Sequence, residues 1–272
     1  MNRMKAIALA VFFLVMTVAV VAGFAAGGLR PEVASAHGAR VDTVVDYVLC
    51  SSGVIFVIGH AVLFWFLVRY SGSVPVTYVQ PSSAVQWRWA LGVAFGMALV
   101  SEVGVLVLGL PVWAEVYGEP PADVLDAEVV GVQFNWLIRY PGKDGVYGRT
   151  DPKLVAEWNP LGLDEDDPKA ADDIVLPNGR LVLPVDRMAR LSLRSHDVLH
   201  SFSVPQFRTK QDLIPGFVAH TQFRPTKVGT YEIACAELCG LGHYRMRGTV
   251  VVMSQEDFAA WLAKQVGYYE GG

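Results

Sequence analysis

The residues best equipped for chemistry form one string near the C-terminus, Cys235-Ala-Glu-Leu-Cys239-Gly-Leu-Gly-His243-Tyr-Arg-Met246, with His196 well upstream. Thiolate and thioether sulfurs are soft donors that favour copper, whereas structural zinc sites are built from Cys and His alone. Met246 is therefore the discriminating member. A mononuclear blue-copper site takes one Cys, two His and a weak axial Met, with one His arriving from a distant strand; this set has that pattern plus a second thiol. Two thiolates can bridge two metal ions. Each ion would then take one of His196 and His243, while Met246 and a backbone carbonyl such as that of Glu237 supply weaker ligands. Gly240 and Gly242 let the loop turn tightly around the metals. Two other readings stay open. A Cys235–Cys239 disulfide would suit an oxidising compartment but gives His196, His243 and Met246 no purpose. A single copper leaves one thiol unexplained. His200 and His220 read as hydrogen-bonded structural residues, His37 has no assigned role, and Cys50 sits in an apolar run as a small hydrophobe.

The elements that must position these donors divide into two regions. The chain has 272 residues, 53% of them hydrophobic and with a formal net charge of -4; its long uncharged runs crowd the first 115 or so residues. Lys and Arg are scattered singly, so no basic patch exists for a nucleic-acid partner. No Cys-x-x-Cys-His string is present, which excludes covalent c-type haem. Arg3 and Lys5 precede an apolar stretch from Ala6 to about Ala26, and Ala34-Ser35-Ala36 resembles an export cleavage site. Residues 1–36 thus read as a signal peptide with a mature start near His37, or as an uncleaved membrane helix. Residues 37–114 hold a helical hairpin with spans at about 47–68 and 89–113, each long enough for the roughly 30 Å hydrocarbon layer. Arg69 and Arg88 flank the connection, which has no acid, while Glu115, Glu119, Asp123, Asp126 and Glu128 follow the second span; the positive-inside rule puts the loop in the cytoplasm and residues 115–272 outside. Trp65, Trp87, Trp89 and Trp113 mark the span ends. Glu102 and His60, expensive in hydrocarbon, should face protein or water.

From residue 126 the pattern is one of short strands, at 126–140, 180–185, 189–195, 220–224, 229–236 and 248–253, which reads as a β-sandwich or barrel. Residues 141–179, with Asp164-Glu165-Asp166-Asp167 and Asp172-Asp173, read as a solvated acidic insertion. Ser254-Gln-Glu-Asp257 reads as a capping box opening a short helix with Phe258, Trp261 and Leu262 on its apolar face.

The Cys-x-Glu-x-Cys-x-x-x-His-x-x-Met string, with Ser195-His-Asp-Val-Leu-His-Ser201 upstream, resembles the copper A site of cytochrome c oxidase subunit II. The resemblance extends through the hairpin, Val132-Gln-Phe-Asn-Trp136, Lys210-Gln-Asp-Leu-Ile-Pro-Gly216 and Gly248-Thr-Val-Val-Val252. It implies a membrane-anchored all-β protein, a two-helix transmembrane hairpin followed by a cupredoxin-like Greek-key β-barrel, in the plasma (inner) membrane with both ends of the mature chain outside. It implies two copper ions on His196, Cys235, the Glu237 carbonyl, Cys239, His243 and Met246, and a magnesium ion shared with subunit I through the Glu237 side chain. It further implies partners in subunits I and III, membrane lipid, and a cytochrome c donor whose electrons pass to haem in subunit I for reduction of oxygen to water; no catalytic residue lies in this chain itself.

Three departures stand out. Gln86 occupies the place of an acidic residue that in the family helps admit protons. Phe134 stands where a tryptophan commonly receives electrons, leaving Phe134 and Trp136 as candidates for electron uptake. The acidic insertion could steer a basic cytochrome c. The rival functions are the copper-bearing small subunit of a nitric oxide reductase, a copper-free quinol oxidase subunit, which lacks such ligands, a nitrous oxide reductase, whose second domain has no room here, and a copper-delivery protein.

Overall fold

The computed structural model describes residues 3–28, 30–71 and 80–269. The chain forms two compact units, residues 1–31 with 40–111, and residues 32–39 with 112–272.

The first unit is helical. α1 (Arg3–Ala25), α2 (Gly38–Arg69) and α3 (Ser83–Tyr117) are each long and apolar enough to cross a membrane, three such helices among the described residues. The two predicted spans are thus real helices that overrun their expected ends, because Ser, Gly and Arg at helix termini do not break the backbone pattern that hydropathy alone delimits. Small residues face neighbours here: the Tyr47 ring lies against Gly104, and its hydroxyl donates to the Val100 carbonyl. His60 is half-buried, its Nδ1 bonding the Phe56 carbonyl at 2.8 Å and its ring 6.0 Å from that of Phe13, whereas Glu102 lies exposed on α3. The middle of the cytoplasmic loop predicted between α2 and α3, residues 72–79, lies outside the described residues.

The second unit is a sheet domain: β1 (Leu125–Val132), β2 (Asn135–Tyr140), β3 (Ile174–Leu176), β4 (Arg180–Pro184), β5 (Ala189–Ser195), β6 (His200–Val204), β7 (Thr209–Leu213), β8 (Ala219–Phe223), β9 (Gly229–Cys235), β10 (Arg247–Met253) and α4 (Gln255–Leu262). They form two five-stranded sheets, ordered β3-β2-β1-β5-β8 and β4-β10-β9-β6-β7. β1 pairs in parallel with β5, as does β10 with β4; the other pairs are antiparallel. The run read as one strand over 126–140 folds back as the β1–β2 hairpin, and β3, β6 and β7 went unread because β3 has only three residues while β6 and β7 are short and largely polar. One core joins the two sheets through Trp136, Ile138, Leu191 and Leu193 of the first and Leu181, Phe202, Ile233 and Val250 of the second. The Ser254 hydroxyl accepts from the Asp257 amide at 3.0 Å, capping α4 as expected.

The acidic insertion departs from expectation, for it is folded rather than merely solvated. Leu161, Leu163 and Ala170 pack with Val130 and Leu137 on the outer face of the β1–β2 hairpin, and Tyr268 and Tyr269 close over them. Its acids are built in: Asp151 and Asp167 cap short helical turns, and Asp173, fully buried, pairs with Arg139. Buried apolar positions spaced irregularly among charges have no helix or strand period, which is why the sequence pattern missed this layer.

Candidate metal centre

β9 runs inward through Ile233 to Cys235 and stops there; the chain then loops through Cys239 and a single helical turn at His243–Arg245 before Met246 leads into β10. The loop is closed at its base, where the Cys235 amide donates to the Met246 carbonyl at 3.3 Å and the Ala236 amide to that of Ser201 at 3.0 Å. It is held from below by the β1–β2 turn. The Gln133 side-chain amide donates to the Cys239 carbonyl at 2.6 Å, and a Cβ at Gly242 would overlap the Phe134 ring. Gly240 has φ 130°, a conformation that side chains disfavour.

Inside this loop the donors converge. The Cys235 and Cys239 sulfurs are 3.8 Å apart and unbonded, well beyond a disulfide bond of about 2.05 Å. Cys239 Sγ lies 3.8 Å from His243 Nδ1 and 3.7 Å from Met246 Sδ, while Cys235 Sγ is 3.2 Å from the Glu237 carbonyl. The remaining imidazole is that of His200, whose Nδ1 is 4.0 Å from Cys235 Sγ; His200, Cys235 and Cys239 are the metal-ligating cluster found among the described residues.

That last fact corrects the upstream ligand expected from sequence. His196 stands with Arg194 on the wall of a separate cavity lined by Val132, Leu161 and Phe217. Strand parity gives the reason. In β5, Ala189, Leu191 and Leu193 point into the core, so Arg190, Ser192 and Arg194 point out, and His196 follows them two residues on. In β6, Phe202 and Val204 are core residues, so His200 shares their inward face. The alternation His200-Ser-Phe202-Ser-Val204 was the signal available in the sequence. Burial, with the Arg194 charge second, holds the His196 imidazole below its ordinary pKa.

The His200 ring is oriented by Asp197, whose Oδ1 lies 2.8 Å from Nε2. A carboxylate can only accept, so Nε2 donates to it and the ring is held with Nδ1 turned toward the sulfurs. Partial burial works to raise the Asp197 carboxyl, but hydrogen bonds from the Gln133 amide, His200 and the Val198 amide outweigh it and hold it below the usual carboxylate value. Burial, reinforced by neighbouring Cys235, pushes the Cys239 thiol up to about 11.

The two electron-uptake candidates part company. Phe134 is partly exposed and packs on the metal loop, but Trp136 is fully buried, 6.2 Å from the His200 ring, and cannot meet a donor at the surface. The Glu237 carboxylate accepts from Lys210 Nζ at 3.3 Å, and the same ammonium bonds Asp212 at 2.7 Å. Leu238, Leu241 and Tyr244 project from the loop almost wholly into solvent. His220 pairs with Ser192 at 3.3 Å, away from the cluster.

The donor set fits copper. The two sulfurs lie closer together than two metal–thiolate bonds of about 2.3 Å, so one ion can reach both, and soft sulfur with imidazole selects copper over hard cations. Helices able to span a bilayer and a sheet domain with a buried soft-metal cluster define a membrane-anchored metalloprotein class. Residues 126–254 match the family described as cytochrome C oxidase subunit II, periplasmic domain. An alternative cytochrome c oxidase subunit 2 of Bradyrhizobium diazoefficiens is 42% identical over 188 residues, which are 69% of this chain and 66% of that protein. The cytochrome c oxidase subunit 2 of Thermostichus vulcanus is 38% identical, over 57% of this chain and 37% of its own length. That of Cereibacter sphaeroides is 30% identical over 216 residues, 75% of this chain and 67% of the relative. This chain belongs to the cytochrome c oxidase subunit II family, whose members are parts of an oxidoreductase complex; it spans about two thirds or less of the length of these relatives.

Proposed function

We propose that the chain is the electron-accepting subunit of a haem-copper terminal oxidase, holding two copper ions on His200, Cys235, the Glu237 carbonyl, Cys239, His243 and Met246. When bound, the copper pair supplies one-electron uptake and release. The observation that carries this reading is the convergence of two free thiols, two imidazoles, a thioether and a carbonyl within one small loop region. Six donors are more than a single blue-copper ion takes, and two thiolates facing one another can bridge a pair of ions. By the same reading the sheet domain has cupredoxin-like Greek-key architecture and stands outside the plasma (inner) membrane.

The protein's own contribution is a fixed ligand frame. Asp197 fixes His200, Gln133 ties the Cys239 carbonyl to the β1–β2 turn, and Phe134 packs beneath the loop, so the donors need little rearrangement between redox states. Electrons come from a cytochrome c over the exposed apolar rim formed by Leu238, Leu241 and Tyr244, with Phe134 as the aromatic nearest the loop, and go on to haem in subunit I, where oxygen is reduced to water. Subunits I and III and membrane lipid surround the helices. The Glu237 carboxylate is half-exposed and would hold a magnesium ion at the subunit I boundary once Lys210 turned away. The names of the relatives favour oxygen over nitric oxide as the final acceptor.

Metal analysis with electron paramagnetic resonance on the copper-loaded full chain tests the reading. Two coppers per chain sharing one unpaired electron is the expected result. One copper, or a signal localised on a single ion, would refute the paired site.

A further inference from the structure

The segment joining α1 to α2 is built into the sheet domain. The Ala34 amide donates to the Gln206 carbonyl at 2.8 Å, the Ala36 amide to that of Arg224 at 2.9 Å, and the Thr226 amide donates back to the Ala34 carbonyl at 2.9 Å. Ser35 forms an antiparallel bridge with Pro225, and its hydroxyl donates to the Phe207 carbonyl at 2.8 Å. Lys227 pairs with Glu32. Ala34 is 2% exposed and belongs to the main core with Phe207 and Phe223; Ser35 and His37 are equally enclosed at 3% and 1%. At Gly38 a Cβ would stand 2.6 Å from Val33 and 2.9 Å from the Ser35 hydroxyl, so the turn from this segment into α2 is closely packed and admits no side chain.

We infer that Glu32–Ala39 is a permanent strap of the sheet domain and that Ala34-Ser35-Ala36 is not a cleavage site, so the mature protein keeps this segment. A cut after Ala36 would place a new α-amino group, with an ordinary pKa of about 7.7–8.0, on His37, a residue with almost no access to water. Burying that charge is unfavourable. The same cut removes Ala34 from the core, takes away the partners of the Gln206 and Arg224 carbonyls and the Thr226 amide, and leaves the Phe207 carbonyl with the Thr209 hydroxyl alone. Topology agrees. The strap and residues 112–272 form one compact unit, so they lie on one side of the bilayer; α2 and α3 together cross twice and return the chain to that side.

The intact mass and N-terminal sequence of this chain, taken from the assembled complex in native membranes, test the inference. An N-terminus upstream of Glu32 is expected, and one at His37, or anywhere between Glu32 and His37, overturns it. In the full-length protein Ala34→Asp should lower the unfolding midpoint of the sheet domain by several degrees, whereas Ala34→Gly should lower it less. An Ala34→Asp protein as stable as the parent would show that the strap is not docked, and would overturn the inference by a route independent of processing and of copper.

Discussion

His196 and His200 are four residues apart and serve different faces of the sheet domain, so substituting each in turn separates ligand from neighbour. His200→Ala should abolish the shared-electron copper signal, and His196→Ala should leave copper content and spectrum near normal; the reverse result would return the ligand role to His196. Asp197→Asn keeps the shape of the side chain but replaces a charged acceptor by an amide, so the His200 ring loses its fixed orientation. Competition with a chelator should then show copper held about 10–100-fold more weakly, the usual effect of losing such a supporting carboxylate. At this scale the string from Cys235 to Met246 was legible because five of its donors lie in one loop at telling spacings. The sixth was not, because two histidines share one segment and only strand parity separates them.

The insertion between β2 and β3 is where element-scale reading failed, and Arg139 is what makes it an element. From the β2 strand its guanidinium reaches Glu128 at 3.3 Å on the neighbouring strand, the Gly148 carbonyl at 2.6 Å and the Asp173 carboxylate, and its plane lies over the Tyr147 ring. Arg194 braces the other side of Glu128 at 2.6 Å. Burial raises the Asp173 carboxyl above its ordinary value even with Arg139 opposing. Arg139→Met would leave that carboxylate uncompensated, a change that typically costs about 3–5 kcal/mol. Denaturant unfolding at neutral pH should show the loss. Its sign with pH follows from the raised pKa: a protonated Asp173 is tolerated, so the deficit should shrink as pH falls toward the unfolded carboxylate value of about 4 and be largest well above it. A deficit that grows on acidification would mean that Arg139 acts elsewhere. The β-strands flanking the insertion were legible from alternation, whereas this layer is held by single buried contacts and ion pairs that leave no period.

Across the whole molecule the helices were readable because lipid can take the place of a protein core, so each span must be apolar all round and long; where they ended was not, since helices continue past the hydrocarbon. Folding of the sheet domain completes the metal centre, because His200 on β6 meets the donors between the end of β9 and the start of β10 only when the second sheet has formed. The unfolded chain keeps the local donors from Cys235 to Met246 but lacks His200 and the fixed frame, so copper should bind the folded state more tightly and stabilise it by mass action, by up to about 2.7 kcal/mol at a free concentration 100 times the dissociation constant. Removing the metal with a chelator should therefore lower the unfolding midpoint of the sheet domain, and readdition should restore it. Since the Cys239 thiol is pushed up to about 11 without metal, copper must displace a proton to bind there. Uptake should then release protons measurable in weakly buffered solution and should strengthen as pH rises from 6 toward 8. Cys239→Ser should diminish both the proton release and the thermal gain together, and a variant that kept the full thermal gain would place the stabilising metal somewhere other than between the two thiols.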